Sequence, residues 1–227
     1  MKKKEGYVYN LVSCRNKAMV AFFKEYPTIP GAFGRMTSFF TNFTQRLNGI
    51  ETPNEKLQYK ILLSISFMRT HICACEHIIN SENIEGVTLL RKQLELIARM
   101  REVEVNDLEQ IYNKTPNVSY GKPMNEEYGL MSTIAHSANI ESLDMLGFRI
   151  KDDFHKQFSV YPVYNENTIH AFDTAIGLFF MFALEAISLQ QSMIPEYNVQ
   201  KDGDAIMEFF QFGKSSSIPF FECLKEQ

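Results

Sequence analysis

Apolar residues recur along this chain at steps of three and four almost from end to end, the spacing that lines one face of an α-helix. Residues 7 to 26 put Val8, Leu11, Val12, Met19, Phe22, Phe23 and Tyr26 on one such face and predict a first helix. The segment PTIPG is expected to stop it, because proline donates no backbone hydrogen bond and restrains the residue before it. Met36, Phe39, Phe40, Phe43 and Leu47 predict a second helix ending at Asn48-Gly49. The stretch TPNE then reads as a helix start, with Thr52 as N-cap, Pro53 in the first helical position and Glu55 completing a capping box. The third helix runs to about Asn80 on a spine of Ile61, Ile65, Met68, Ile72, Cys75 and Ile79, and Asn80-Ser81 breaks it. A fourth follows over about 82–105.

Residues 113–125, rich in Pro, Gly, Asn and Ser, read as a loop. Two shorter helices are expected at 125–138 and 139–147. The region 148–167 is the least helical, and FSVYPVY within it alternates enough for a short edge strand. Asn165 or Asn167 is expected to cap a long helix to about Ile194, closed by Pro195, and the tail holds one short helix and an apolar end. Alternating strand–helix units and internal repeats are absent from the pattern. The expectation is therefore an all-α bundle of four or five long helices with short accessory ones. It forms a single domain over 1–227, with a core bundle at about 53–195, an N-terminal helical pair at 6–48, and a tail at 196–227 packing on the body or on a partner.

Composition sharpens this only modestly. With 45% hydrophobic and 13% aromatic residues there is ample material for a core, and the formal charge of −4, from 23 basic and 27 acidic residues, argues against a surface devoted to gripping phosphates. The basic start MKKKEG is followed by no signal-like apolar segment. The longest apolar run, between Asp173 and Glu185, is about half the roughly 20 residues that span a bilayer. Cys14, Cys73, Cys75 and Cys223 make no disulfide framework in a chain of this length. These features predict a soluble cytoplasmic protein with reduced thiols and no membrane contact.

The candidate chemistry lies in three places. HICACEH (71–77) holds the residue types of a zinc site, but at 100° per residue His71 pairs with Cys75 and Cys73 with His77 on opposite sides of the helix. A packing role is expected, with no metal or other cofactor. In LLRKQLELIARMRE, Arg91, Glu95 and Arg99 form one stripe, which read by itself is a solvated ladder of ion pairs. In YGLMSTIAHSANIES, Tyr128, Ser132 and His136 stack on one face beside Leu130, Met131, Ile134 and Ala135. Such polar groups need partners where they are buried, and the Arg91–Glu95 helix is the natural supplier. His136 is the member of this group that titrates near neutral pH in its ordinary state. Phosphate loops, GxSxG elbows and di-iron ExxH pairs are absent. Asp173 and Glu185 share a face of the long helix and are expected to make helix–helix salt bridges.

The pairing of LLRKQLE (89–95) with YGLMSTIAH (128–136), followed by YPVYN (161–165), resembles a group of bacterial all-α proteins distantly related to the HEPN (higher eukaryote and prokaryote nucleotide-binding) superfamily. The resemblance covers roughly residues 55 to 195. It implies a helical bundle, often dimeric, and in many members ribonuclease activity in toxin–antitoxin or phage-defence systems. Active members carry an Arg set off from a following His by four to six residues. Counting back from His136, those positions hold Gly129, Leu130 and Met131, so this chain departs from the pattern. Arg149 and His155 have suitable spacing but lie in the irregular stretch.

The reading is a non-catalytic HEPN-like binding protein, homodimeric, with an RNA or protein partner. Its site is the polar group Arg91, Glu95, Tyr128, Ser132 and His136, and the apolar tail (Ile218, Phe220, Phe221) and the aromatic second helix are either dimer interfaces or interior. The alternatives are an RNA-cleaving enzyme centred on His136 with Arg91 or Arg149 assisting, and a metal-binding bundle using one of the HICACEH pairs.

Overall fold

The computed structural model describes residues 6–120, 122–136, 145, 148–152, 155–216 and 218–222. Among the described residues the chain is all-α apart from one small hairpin. In order, the helices are α1 (Tyr7–Glu25), α2 (Ile29–Leu47), α3 (Glu55–Ile79), α4 (Asn83–Val105), α5 (Leu108–Ile111) and α6 (Lys122–Ala135). The antiparallel strands β1 (Phe148–Asp152) and β2 (His155–Phe158) follow, then α7 (Asn167–Met193), α8 (Val199–Lys214) and α9 (Pro219–Glu222). The helix expected over 139–147 lies, except for Met145, outside the described residues.

Local chemistry explains where the boundaries differ from expectation. Asn54, not Thr52, caps α3: its side-chain oxygen accepts from the N–H groups of Lys56 (3.0 Å) and Leu57 (3.2 Å), and Thr52 Oγ1 accepts from Asn54 N (3.2 Å). PTIPG follows the end of α1 at Glu25 as expected, but only Pro27 and Thr28 form the turn, because Pro30 falls in the first turn of α2, where its missing N–H costs nothing. The strand expected in FSVYPVY lies earlier, in FRIKD and HKQF. FRIKD alternates only over Phe148 and Ile150, and HKQF does not alternate at all, so the pattern marks the hairpin weakly. The expected single helix of the tail is two helices, α8 and α9.

The frame is the α3–α4 hairpin. Its tight turn runs through Ser81, which adopts a left-handed φ of 60°. Contacts along its length fix it as antiparallel: Gly86 lies against Ile78, His71 Nδ1 meets Gln93 Oε1 at 2.8 Å, and Lys60 Nζ meets Glu104 at 2.5 Å. At the turn a β-carbon on Gly86 would fall 2.5 Å from Ile78 Cγ1 and 3.3 Å from the Ala74 carbonyl oxygen. Ile78 is fully buried and cannot step aside. Gly86→Ala is therefore expected to destabilise the fold by a net of about 1 kcal/mol, overpacking outweighing the helix preference of Ala. Urea denaturation checks this, and a variant as stable as wild type would contradict the close approach.

α7 lies across the hairpin. Arg101 on α4 donates to Glu185 on α7 (2.7 Å), and Ser81 meets Thr168 (3.2 Å). The expected ion-pair role of Glu185 is thus realised. By length and composition α7 could cross a bilayer, yet here Phe172, Phe179 and Phe182 are fully buried in the bundle. α2 closes the core with Phe39, Phe40 and Phe43. α3 is enclosed by α2, α4 and α7, and its buried face is wider than the expected spine: Met68, Cys75 and Ile79 of that spine are buried, Phe67, His71, Ala74 and Ile78 beside it are fully buried, and Ile61, Ile65 and Ile72 sit at the margin.

α8 is latched to the body by a polar knot. Arg46 forms a two-pronged ion pair with Asp202, Tyr197 donates to the same carboxylate (2.6 Å), and Gln190 bridges to both. Burial alone would raise the Asp202 pKa, but the Arg46 and Tyr197 hydrogen bonds overcome it and hold the carboxyl below its ordinary value. The tail packs inward as well: Ile218 and Phe221 are fully buried, and Phe220 stacks on Phe180 at 5.7 Å. Ile218 and Phe221 of the tail and Phe39, Phe40 and Phe43 of α2 are therefore part of the interior.

Candidate functional site

α6 rides on α4, anchored by Met131 and Ile134, which are buried in the common core. With those two facing inward, helical periodicity turns Tyr128 and His136 toward the edge where α4 presents Arg91 and Glu95. Arg91 Nη2 pairs with Glu95 Oε1 at 3.1 Å, and the Tyr128 hydroxyl donates to the same oxygen at 2.8 Å. Arg91 Nη1 lies 3.2 Å from His136 Nε2, and its guanidinium sits 5.6 Å from the centre of the Tyr128 ring. A guanidinium has only donors, so this hydrogen bond belongs to a neutral imidazole carrying its proton on Nδ1. Tyr128 and the Glu95 carboxylate hold the Arg91 pKa above its ordinary value, against a smaller opposing effect of burial.

Four of the five residues singled out from sequence thus meet. Ser132 is half-buried between Tyr128 and His136 on α6 and makes no side-chain hydrogen bond among the described residues. His136 is exposed, and the Arg91 and Glu95 side chains each keep 23% of their surface. The cluster therefore opens to solvent along one edge. Arg91 Nε, by contrast, is shielded and has no hydrogen-bond partner among the described residues.

Arg99 does not continue this stripe as a solvated ladder. It is buried, donates to the carbonyls of Ile111 (2.8 Å) and Lys114, and pairs with Glu102 (2.9 Å), pinning the segment after α4. Arg149 and His155 fall on different rungs of the hairpin: Arg149 is opposite Gln157, and His155 opposite Asp152.

The HICACEH residues disperse. His71 is fully buried between Gln93 and Met36 Sδ (3.4 Å) and stacks on Phe67. Burial lowers its pKa to about 4, opposed by the Gln93 hydrogen bond. Cys75 is buried, and burial pushes its thiol well up, away from thiolate chemistry. Cys73 is exposed, and His77 binds Glu82 at 2.7 Å. Among the described residues, no three His, Cys, Asp or Glu side chains gather to hold a metal ion.

On the other flank of α6 lies an apolar cleft of about 340 Å³, walled by Val87, Leu130, Met131, Ile134 and Ala171. Its polar rim is Glu127, which accepts from Thr174 Oγ1 (3.3 Å), and His170. Sequence reading passed over Glu127. The available signal was an acid placed on the apolar side of α6, one residue before Tyr128. Comparison with family models, with curated proteins and with solved structures gives no match to this chain.

Proposed function

We propose that this protein is a HEPN-like binding protein without turnover. It acts as a homodimer and recognises an anionic group of RNA or of a protein through the α4–α6 edge. The observation that carries the reading is the Arg91–His136 contact at a solvent-open edge, with Arg91 held in place by Glu95 and Glu95 in turn by Tyr128. This supports binding over catalysis. A general base needs a free lone pair aimed at substrate, and here the Nε2 lone pair is engaged by the guanidinium. Arg91 itself is already in an ion pair, so an incoming phosphate or carboxylate exchanges one anionic partner for another.

The same contact favours one second reading, cleavage of RNA by His136 with Arg91 reaching it from the neighbouring helix rather than from its own. One experiment separates the two. Single-stranded RNA is titrated against wild type, Arg91→Ala and His136→Ala, and the recovered RNA is examined for cleavage. The binding reading expects intact RNA throughout and about tenfold weaker retention by Arg91→Ala, a loss of about 1.4 kcal/mol. Cleavage by wild type that disappears in His136→Ala would establish the enzyme. Absence of any RNA retention would remove RNA as the partner.

A further inference from the structure

The cleft on the far flank of α6 joins an apolar floor to an acid that no cation answers among the described residues. Val87 of α4, Met131 and Ile134 of α6 and Ala171 of α7 are buried and form the floor. Leu130, 56% exposed, stands at the mouth. Glu127 lies on the rim, half-buried, one turn of α6 before Met131. Its carboxylate accepts from Thr174 Oγ1 at 3.3 Å, and that hydroxyl is shared with the His170 carbonyl at 3.1 Å. A carboxylate offers about four acceptor positions, so most of them stay open here. By contrast Glu82, Glu95, Glu102, Glu185 and Asp202, half-buried or buried as Glu127 is, are each paired with an arginine. Taking a carboxylate partly out of water against one shared, neutral hydrogen bond is costly unless a further partner satisfies it.

We infer that the cleft binds a small primary amine carried on a compact apolar body, with the ammonium against Glu127 and the body on the floor. The head group follows from the rim. An ammonium brings the missing positive charge and three donors, and the Asn167 amide oxygen and a neutral His170 imidazole offer acceptors beside Glu127. The body follows from the floor, whose residues are aliphatic or thioether throughout. At about 30 Å³ for each water-sized group, a volume of about 340 Å³ takes roughly ten non-hydrogen atoms. A carboxylate head on the same body would meet the first turn of α7, where Asn167 and His170 lie and backbone donors favour an anion. That helix end carries only about half a unit of positive charge, against the full negative charge of Glu127, so the amine is preferred. The cleft shares no lining residue with Arg91, Glu95, Tyr128, Ser132 or His136, so it stands apart from the function proposed above.

Phenethylamine, phenethyl alcohol and hydrocinnamate set one ring on an ammonium, a hydroxyl and a carboxylate, and they are the probes. Each is titrated into the full chain from about 0.1 to 10 mM, around a dissociation constant on the order of 1 mM for the amine. Salt at about 0.15 M screens carboxylates exposed elsewhere on the surface. Nuclear magnetic resonance of methyl-labelled methionines gives the readout. Met131 reports from the floor of the cleft, and Met207, 56% exposed on α8, is the reference.

Phenethylamine is expected to shift the Met131 signal saturably and leave Met207 in place, with the alcohol and the carboxylate at least about tenfold weaker. Glu127→Gln keeps the shape of the side chain and removes its charge. It should weaken the amine about tenfold and leave the alcohol as it was, a split that misfolding does not produce. Glu126→Gln, at the exposed neighbouring position, should change amine binding by less than about twofold. The absence of a saturable Met131 shift overturns the assignment. So does binding of the alcohol or the carboxylate as tight as that of the amine, or amine binding that Glu127→Gln leaves unchanged.

Discussion

Phe182→Ala is expected to cost about 4 kcal/mol of stability. Phe182 is fully buried where α2, α3 and α7 meet. Its ring stacks on Phe67 with centroids 4.2 Å apart and planes at 4°, and it takes edge contacts from Phe40 at 5.8 Å and Phe43 at 6.0 Å. Truncation removes the transfer free energy of a large side chain, worth about 2 to 3 kcal/mol. It also strips Phe67 of its stacking partner and leaves a void among rings too large to collapse into it. Urea denaturation should show a lowered midpoint with an unchanged slope. Leu184, two residues along the same helix but 63% exposed, is the control, and Leu184→Ala should move stability by less than about 0.5 kcal/mol. Equal losses from the two substitutions would contradict the placement of α7 at the centre of the bundle.

That placement shows what the linear pattern can and cannot carry. α7 was readable in type and extent because it is apolar on nearly every side, and such a helix belongs at the centre whatever its neighbours are. α3 was readable as a helix, but only part of its buried face was. A helix enclosed by three others has no narrow apolar stripe, so its buried face is wider than the spine of Met68, Cys75 and Ile79 and takes in His71, whose packing role was legible but whose full burial was not. In α1 the apolar positions are real but divide between two faces, one turned to Phe172 and one to solvent. Spacing cannot say which face meets what, because that choice is made by elements far away in sequence. Arg99 is the same case among charged residues. Its stripe was evident, but its partners are carbonyls that only the chain path after α4 brings into reach.

The polar cluster was legible for a simpler reason. Arg91 with Glu95, and Tyr128 with His136, are each fixed to one face by helical geometry, so a single packing decision, α6 on α4, assembles all four. Ser132 lies on that face between Tyr128 and His136 yet makes no side-chain hydrogen bond there, which marks the limit of such reasoning to about one side-chain length. Glu127 escaped notice because its significance depends on α7, which brings Thr174 and His170 to the far side of α6.

The burial of His71 has a consequence for acid stability, with a sign that can be worked out. Its pKa is lowered to about 4 in the fold, where desolvation outweighs the Gln93 hydrogen bond, against an ordinary value of 6.5 in the unfolded chain. Between those values the unfolded imidazole takes up a proton that the folded one refuses. The unfolded state then binds more protons, so stability rises with pH through this window and is lost as pH falls from about 6.5 to about 4. A difference of this size corresponds to about 3 kcal/mol, a large share of the stability of a single domain. Exposed carboxylates titrate over part of the same range, so the measurement is a comparison. Unfolding free energies of wild type and His71→Gln are taken from urea denaturation between pH 7.5 and 4.5. The variant has no imidazole to protonate, and its lower starting stability does not affect the slope. Wild type is expected to lose about 2.5 kcal/mol more than the variant by pH 4.5. Parallel pH profiles would mean that the imidazole accepts its proton within the folded state, and that the Phe67, Phe40 and Met36 wall around it opens to water.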